Sequence, residues 1–109
     1  MNCAAACLIL LGAIAHDGDT LTLPGPNVRL WGMSTPELDE PGGKEARAAL
    51  ASLIAGQRLT CERKGKSYDR IVARCETAEG VDLSCAMIRS GHGVETRRYS
   101  KGAYAGCER

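Results

Sequence analysis

With 109 residues, of which 44% are hydrophobic and 25% charged, the chain has the size and composition of one soluble globular domain spanning residues 1–109. Its formal net charge is +1, which excludes a strong overall field that would attract nucleic acid, so any polyanion must be bound by a local group of cations. Phe is absent and Trp31 is the only tryptophan, so the core must consist mainly of aliphatic side chains, alanine and cysteine.

The N-terminal segment is an apolar run over residues 4–14, and eleven residues are too few to cross a membrane. We therefore expect no membrane partner. The run ends in Ala13-Ile14-Ala15, which has the small-x-small form of a signal-peptidase site, but no Lys or Arg precedes it. We interpret residues 8–16 as a buried first strand and keep a cleavable export signal as the alternative.

The first turn signal is Asp17-Gly18-Asp19, in which glycine permits backbone angles that other residues avoid. Residues 20–23 alternate between polar and apolar side chains and predict a short strand, which Pro24-Gly25-Pro26-Asn27 ends.

The following strand is predicted over residues 28–32. Val28 and Leu30 point to the same side and face the core, so Arg29 and Trp31 lie on the opposite face. This alternation leaves Arg29 able to reach a ligand without being buried.

Two helices are predicted. The first covers residues 44–54, where apolar side chains recur at helical spacing, and it ends at Gly56. Its predicted buried face consists of Ala46, Ala49, Leu50, Leu53 and Ile54. The second has Asp82 as its N-cap and Gly91 just past its end, and it buries Leu83, Ala86 and Met87.

Between the helices, residues 59–63 and 71–76 predict two antiparallel strands around a basic loop, and the tail after Gly93 is polar and irregular. Short strands, a helix, a hairpin and a second helix indicate the α+β class. A small five-stranded barrel of the oligonucleotide/oligosaccharide-binding (OB) type, with two packed helices, is one architecture that buries these apolar faces.

Six cysteines in so short a chain favour an oxidising compartment, so we expect an exported protein, periplasmic or secreted. Cys61 and Cys75 lie symmetrically about Tyr68, the middle of the predicted hairpin, and are expected to face each other. Cys85 and Cys107 form a second expected pair that attaches the C-terminus. Buried free thiols are the alternative.

Other cysteine chemistry has little support in the sequence. No two cysteines form a C-x-x-C pair, and His16 and His92 lie far from any zinc-ligand spacing. Neither histidine belongs to a recognisable Cys/His catalytic pattern, so we expect no catalytic cysteine. Cys3 and Cys7 receive no functional assignment.

Five polar residues have both a structural and a chemical interpretation. Asp17 and Asp19 suit a turn in which carboxylates accept from nearby amides, and they equally suit calcium, which prefers oxygen ligands. Arg29 and Arg70 are either exposed strand residues or planar forks for phosphate oxygens. Glu37, which follows Thr35-Pro36, is either a surface acid or a general base.

Taken together, these segments resemble the staphylococcal nuclease (thermonuclease-like) family, over residues from about 10 to 93. The motifs that carry the resemblance are Asp17-Gly18-Asp19-Thr20, Val28-Arg29-Leu30, Thr35-Pro36-Glu37, Tyr68-Asp69-Arg70 and Ser90-Gly91. The resemblance implies an OB-type barrel and Ca²⁺-dependent hydrolysis of DNA or RNA phosphodiesters.

The resemblance also implies roles for individual residues. Asp19 and the Thr35 carbonyl are implied to ligate calcium, with Asp17 near the ion. Arg29 and Arg70 are implied to bind the scissile phosphate, and Glu37 to activate the attacking water. These three would be the catalytic residues, and the residues implied to contact the nucleotide are Tyr68 and Tyr99.

One position departs from the family pattern: Ser34 stands where the family has an aspartate that ligates calcium. Serine offers a neutral oxygen, and calcium affinity depends on the number of charged ligands, so we expect weaker metal binding at Ser34. Asp39 and Glu40 lie in the same loop as potential substitutes.

The leading hypothesis is a metal-dependent nuclease acting on single-stranded DNA or RNA, with activity reduced by Ser34. The alternative is a catalytically inactive OB-fold module that binds nucleic acid or protein. A third interpretation is an exported, disulfide-linked domain that serves as a protein-interaction unit.

Overall fold

The computed structural model describes residues 7–108, and its elements follow the α+β order that the sequence predicts. The strands are β1 (Cys7–Leu10), β2 (Ile14–Asp17), β3 (Thr20–Thr22), β4 (Val28–Leu30), β5 (Met33–Ser34), β6 (Leu59–Ser67), β7 (Arg70–Glu76) and β8 (Val94–Glu95). The helices are α1 (Gly43–Ile54), α2 (Leu83–Arg89) and the short α3 (Arg97–Ser100), followed by a 3₁₀ turn over Ala105–Glu108.

The main sheet curls on itself. Its strand order is β1-β6-β7-β4-β3-β2, with β4 and β7 parallel and the other neighbours antiparallel. β1 and β2 form opposite edges of this sheet, although only residues 11–13 separate them along the chain. Two edges joined by so short a link can only be neighbours in space, so the sheet has the curvature of the predicted OB-type barrel. Counting residues 7–17 as one bent strand gives the predicted five strands.

The prediction of one continuous buried strand over residues 8–16 was wrong in two respects. The segment breaks into β1 and β2 at Gly12, whose φ of +69° glycine adopts without strain. Its side chains also alternate: Leu8 and Leu10 pack against the core, whereas Ile9 is half exposed. The barrel curvature requires the bend, and a hydropathy pattern does not record curvature.

The core lies between the sheet and the first two helices. α1 begins one residue earlier than predicted and buries Ala46, Leu50 and Ile54, while Ala49 and Leu53 pack at the edge of the core. α2 begins as predicted, because the Asp82 side chain accepts a hydrogen bond from the Cys85 amide. It buries Leu83 and Met87 as predicted, whereas Ala86 is only half-buried and Ser84 and Ile88 complete the buried face.

The hairpin β6–β7 is longer than predicted, because the predicted basic loop is itself strand and only Tyr68 and Asp69 form the turn. Tyr68 has a φ of +58°, which suits a tight hairpin turn. Cys61 and Cys75 are direct cross-strand partners with Cα atoms 4.0 Å apart and form the predicted disulfide. The second predicted disulfide, Cys85–Cys107, is also present. Cys3 lies outside the described residues.

The prediction of an irregular tail after Gly93 was also wrong. β8 pairs with β5, α3 follows, and the 3₁₀ turn packs against α2. Glu95 organises this segment, because its carboxylate accepts hydrogen bonds from the Ser100 hydroxyl and the Tyr104 amide. Tyr104 is fully buried. The order of this polar tail comes from these hydrogen bonds, one disulfide and the burial of Tyr104 and Cys107.

Candidate functional site

The carboxylate of Asp19 is the centre of the polar cluster between β2, β4 and β5. One oxygen accepts from the Thr20 hydroxyl at 3.1 Å. The other accepts from the Thr35 amide at 3.0 Å and the Thr35 hydroxyl at 3.3 Å, and it forms an ion pair with Arg29 Nη1 at 3.1 Å. Asp19 therefore has four donors from the chain itself.

Gly18 makes this cluster possible. A Cβ at residue 18 would lie 2.6 Å from the Thr35 hydroxyl and 2.7 Å from the Cβ of Ala46. Only glycine lets the turn approach α1 and residue 35 this closely, so Gly18 holds Asp19 within reach of Thr35.

Arg29 is held by several acceptors at once. Its Nη1 donates to the carbonyls of Met33 at 3.0 Å and Asp19 at 3.4 Å, and its Nη2 donates to the Ser34 hydroxyl at 3.3 Å. The side chain lies off the core face of β4, as the alternation predicted, and is 22% exposed. The planar guanidinium is therefore oriented in advance.

Two opposing effects act on the pKa of Asp19. Burial is the larger and raises it, while the charge of Arg29 and the Thr35 amide hydrogen bond lower it, and the net pKa lies above the ordinary value. Asp17 accepts from the Asp19 amide at 3.1 Å, which is the local turn bond that its structural interpretation predicted.

The oxygen atoms of this cluster, as they are arranged, do not fit a calcium ion. Calcium takes six to eight oxygen ligands, several of them charged. Within residues 7–108, no group of three or more His, Cys, Asp or Glu side chains is placed to hold a metal. Ser34 is neutral and already accepts from Arg29, and Asp19 is already balanced by the same guanidinium.

A groove with a volume of about 680 Å³ lies beside Arg29, between the hairpin β6–β7 and the C-terminal segment. Among the described residues that line it, the charged ones are all basic: Arg29, Lys64, Lys66, Arg70, Arg98 and Lys101. A concentration of like charge on one concave surface of a nearly neutral protein indicates a site for a polyanion. We call this surface the basic groove.

The parallel pairing of β4 and β7 explains why Arg29 and Arg70 reach the same groove. Arg29 is the register partner of Val72, so the two side chains point to the same face of the sheet. Arg70 lies two residues before Val72 and shares that face. Its Nη2 donates to Ser67 at 3.4 Å.

Glu37 does not line the basic groove with these arginines. Its side chain is exposed, and its amide donates to the Glu40 carboxylate at 2.7 Å. The loop is held against α1 at Gly43, where a Cβ would lie 1.9 Å from the Glu37 carbonyl oxygen. The structure thus brings together Arg29, Ser34 and Arg70 and leaves Glu37 outside.

The two predicted nucleotide-contacting tyrosines differ in position. Tyr99 lines the basic groove, is 58% exposed and has the Arg98 guanidinium 5.0 Å from its ring. Tyr68 is 94% exposed at the hairpin tip and is not part of the groove lining.

Four of the groove cations, Lys64, Lys66, Arg98 and Lys101, were not predicted as site residues from the sequence. The basic run before Tyr68 was interpreted as a loop. The signals for these cations are the strand alternation within that run and the Arg97-Arg98-Tyr99 cluster.

The C-terminal wall of the groove, which is lined by Thr96, Arg98, Tyr99 and Lys101, is fixed to the barrel by polar contacts of neighbouring residues. The Tyr104 hydroxyl donates to Asp82 at 3.0 Å, and Arg74 pairs with the same carboxylate at 2.7 Å. The Tyr104 ring packs edge-on against Trp31, with centroids 5.6 Å apart. Burial beside the Asp82 carboxylate raises the pKa of Tyr104, so its hydroxyl stays protonated and continues to donate.

Comparison with known proteins agrees with this fold. Residues 27–106 match the family described as staphylococcal nuclease homologues. The chain belongs to the staphylococcal nuclease family. It is also 35% identical to the succinoglycan biosynthesis protein ExoI of Rhizobium meliloti (strain 1021), an alignment that covers 98% of the chain. The chain spans 62% of the length of that relative.

Staphylococcal nuclease homologues generally bind nucleic acid and depend on calcium, and the basic groove is consistent with the first of these properties. Within the described residues, no helix is both long and apolar enough to cross a membrane.

Proposed function

We propose that this domain is a nuclease that binds a single strand of DNA or RNA in the basic groove and hydrolyses a phosphodiester beside Arg29 and Arg70. The observation that carries the proposal is the set of six basic side chains that line one groove. Spaced cations bind successive phosphates of a strand, and Tyr99 offers an aromatic face for a base.

The proposed roles of the arginines follow from their chemistry. A guanidinium donates two parallel hydrogen bonds to phosphate oxygens and keeps its charge at any physiological pH. Arg29 and Arg70, on neighbouring strands and one face, bracket a phosphate from two sides. They stabilise the negative charge that develops on its oxygens in the transition state.

Glu37 is the proposed general base. The water oxygen forms a new bond to phosphorus, Glu37 takes a proton from that water, and the leaving sugar oxygen departs and is protonated by solvent. Catalytic hydrogen bonds are often formed only in the substrate complex, so the exposed position of Glu37 is compatible with this role. A positioned base accelerates such a step by about 10²–10⁴-fold.

Calcium is the ion that the family uses, and Asp17, Asp19, Ser34 and the Thr35 carbonyl are the groups that the resemblance offers it. Because Arg29 already balances Asp19, we propose that hydrolysis proceeds without that ion. We therefore expect hydrolysis to be slow.

A second candidate function is a non-catalytic module that binds nucleic acid. Two observations favour it: the ion pair between Arg29 and Asp19, and the position of Glu37 outside the groove. This module would keep the cations of the groove and lack hydrolysis.

One experiment separates the two candidates. Heat-denatured DNA is incubated with the wild type and with Glu37→Gln, in EDTA and over a range of calcium concentrations. The nuclease proposal expects cleavage by the wild type and a loss of at least about 100-fold in the variant, because the variant lacks the base. DNA affinity is measured in parallel by fluorescence anisotropy.

The outcomes are distinct. Binding without cleavage under any condition supports the second candidate. The absence of both binding and cleavage contradicts both candidates and favours a protein-interaction domain.

We also propose that the domain works in an oxidising compartment, periplasmic or extracellular. The supporting observation is the presence of the disulfides Cys61–Cys75 and Cys85–Cys107, because such bonds persist mainly in these compartments.

A further inference from the structure

We infer that Arg29 is the resident counter-ion of Asp19, so that the basic groove binds phosphate groups without a divalent metal. The phosphate part of this inference rests on the proposed function. The part that concerns Arg29 and Asp19 rests on contacts within the described chain alone.

One oxygen of the Asp19 carboxylate, Oδ2, is already occupied. It accepts from the Thr35 amide and hydroxyl and pairs with Arg29, three partners within 3.3 Å of an oxygen with two lone pairs, whereas Oδ1 accepts, among the described residues, only from the Thr20 hydroxyl. A metal ion that bound Oδ2 would have to displace one of its three partners. Two of them belong to Thr35, so Arg29 is the partner that would have to leave.

Arg29 is difficult to displace because Asp19 is only one of its acceptors. Its guanidinium also donates to the Met33 carbonyl and to the Ser34 hydroxyl. Moving the side chain would take this donor from Met33 and Ser34 and the counter-ion from the partly buried Asp19, which costs free energy.

Ser34 limits the negative charge of this cluster. Arg29 balances Asp19, Asp17 adds one carboxylate beside them, and the hydroxyl of Ser34 adds no charge. An aspartate at residue 34 would add a further carboxylate within reach of the same guanidinium. The cluster would then carry one more negative charge with no further cation among its described residues to balance it, which attracts a metal ion.

Phosphate binding, by contrast, does not need the metal. The groove presents five further basic side chains besides Arg29, so its attraction for a polyanion does not depend on a bound cation. Metal-independent binding is therefore the natural consequence of this arrangement.

The test is a calorimetric titration of calcium chloride into the wild type, Ser34→Asp and Ser34→Asn, with thermal melts to confirm folding. We expect no saturable binding by the wild type or Ser34→Asn up to ~10 mM calcium, and a single site in Ser34→Asp with at least about tenfold higher affinity. The asparagine variant has nearly the same shape as the aspartate but no charge.

A second titration uses deoxythymidine 3′,5′-bisphosphate as the phosphate probe. We expect the dissociation constant of the wild type to change by less than about twofold between EDTA and ~10 mM calcium, and that of Ser34→Asp to become calcium-dependent.

The results that overturn the inference are one-to-one calcium binding by the wild type at submillimolar concentration, or bisphosphate binding that calcium strengthens tenfold or more. Should Ser34→Asp be unable to fold, Arg29→Gln replaces it and is expected to gain calcium affinity by freeing Asp19. If the bisphosphate binds under neither condition, the proposed function fails, whereas the calcium titration still decides the role of Arg29.

Discussion

At the scale of single residues, the site depends on two glycines at which segments of the chain pack closely against each other. Gly18 lets the turn lie against Thr35 and Ala46, and Gly43 lets α1 begin directly on the Glu37 loop. Neither glycine has a positive φ, so each is required for the space that a side chain would fill and not for backbone freedom.

Gly18→Ala is therefore expected to destabilise the domain by about 1–3 kcal/mol, because the new methyl group overlaps two side chains. We also expect weaker DNA binding, since Asp19 and Arg29 would shift with the turn. Urea unfolding and fluorescence anisotropy measure the two effects. Gly25→Ala is the matched control, because a Cβ there meets no atom within 4 Å. Equal stability of the two variants would contradict this account of Gly18.

At the scale of elements, two disulfides connect different parts of the site. Cys61–Cys75 joins the two strands of the hairpin that carries Lys64 and Lys66. Cys85–Cys107 joins α2 to the 3₁₀ turn and so closes the chain segment that carries the C-terminal wall of the groove.

The two disulfides close loops of similar length, with sequence separations of 14 and 22. Replacing either pair with alanine is expected to cost about 3 kcal/mol of stability, because the unfolded chain gains freedom. Only Cys85→Ala/Cys107→Ala should also weaken DNA binding, since it releases Arg98, Tyr99 and Lys101. The measurements are urea unfolding and DNA affinity below the unfolding transition. Equal loss of DNA affinity in both double variants would contradict a specific role for Cys85–Cys107 in holding the C-terminal wall of the groove in place.

At the scale of the whole molecule, charge is uneven. The formal net charge is only +1, yet the groove gathers six basic side chains. Composition alone predicted no general attraction for nucleic acid. The fold produces a local one, because it brings the hairpin and the C-terminal segment to the two sides of one concave surface.

This arrangement predicts the salt dependence of DNA binding. Neutralising one phosphate contact changes the slope of log affinity against log salt by about 0.7 for a single strand. Lys66→Gln should therefore reduce the slope by that amount. Lys44→Gln, an exposed lysine on α1 outside the groove lining, should leave it unchanged. Anisotropy titrations between low and high salt measure both slopes. Similar changes in the two variants would contradict a localised site.

Much of the barrel could be predicted from local patterns. The alternation in β4 placed Val28 and Leu30 in the core and Arg29 outside it, and Asp82 identified the start of α2. The symmetry of Cys61 and Cys75 about the hairpin turn identified their pairing. Each of these features depends on residues that are neighbours in sequence or on one hairpin, where periodicity and spacing determine geometry.

The C-terminal segment was beyond such patterns. Apart from the predicted disulfide at Cys107, its order depends on Glu95 and Tyr104 meeting partners that lie elsewhere in the chain or in an adjoining turn, and a polar sequence carries no periodic sign of those contacts. The bend at Gly12 was missed for a related reason, since it follows from closure of the whole sheet.

The sequence by itself indicated the family, the α+β class and the pairings Cys61–Cys75 and Cys85–Cys107, which the structure confirms. Only the tertiary structure decided that Arg29 pairs with Asp19, that Glu37 stands apart, and that Lys64, Lys66, Arg98 and Lys101 share one groove. The physical reason is that side-chain type and periodicity are local properties, whereas charge pairing and groove formation depend on which distant segments the closed sheet brings together.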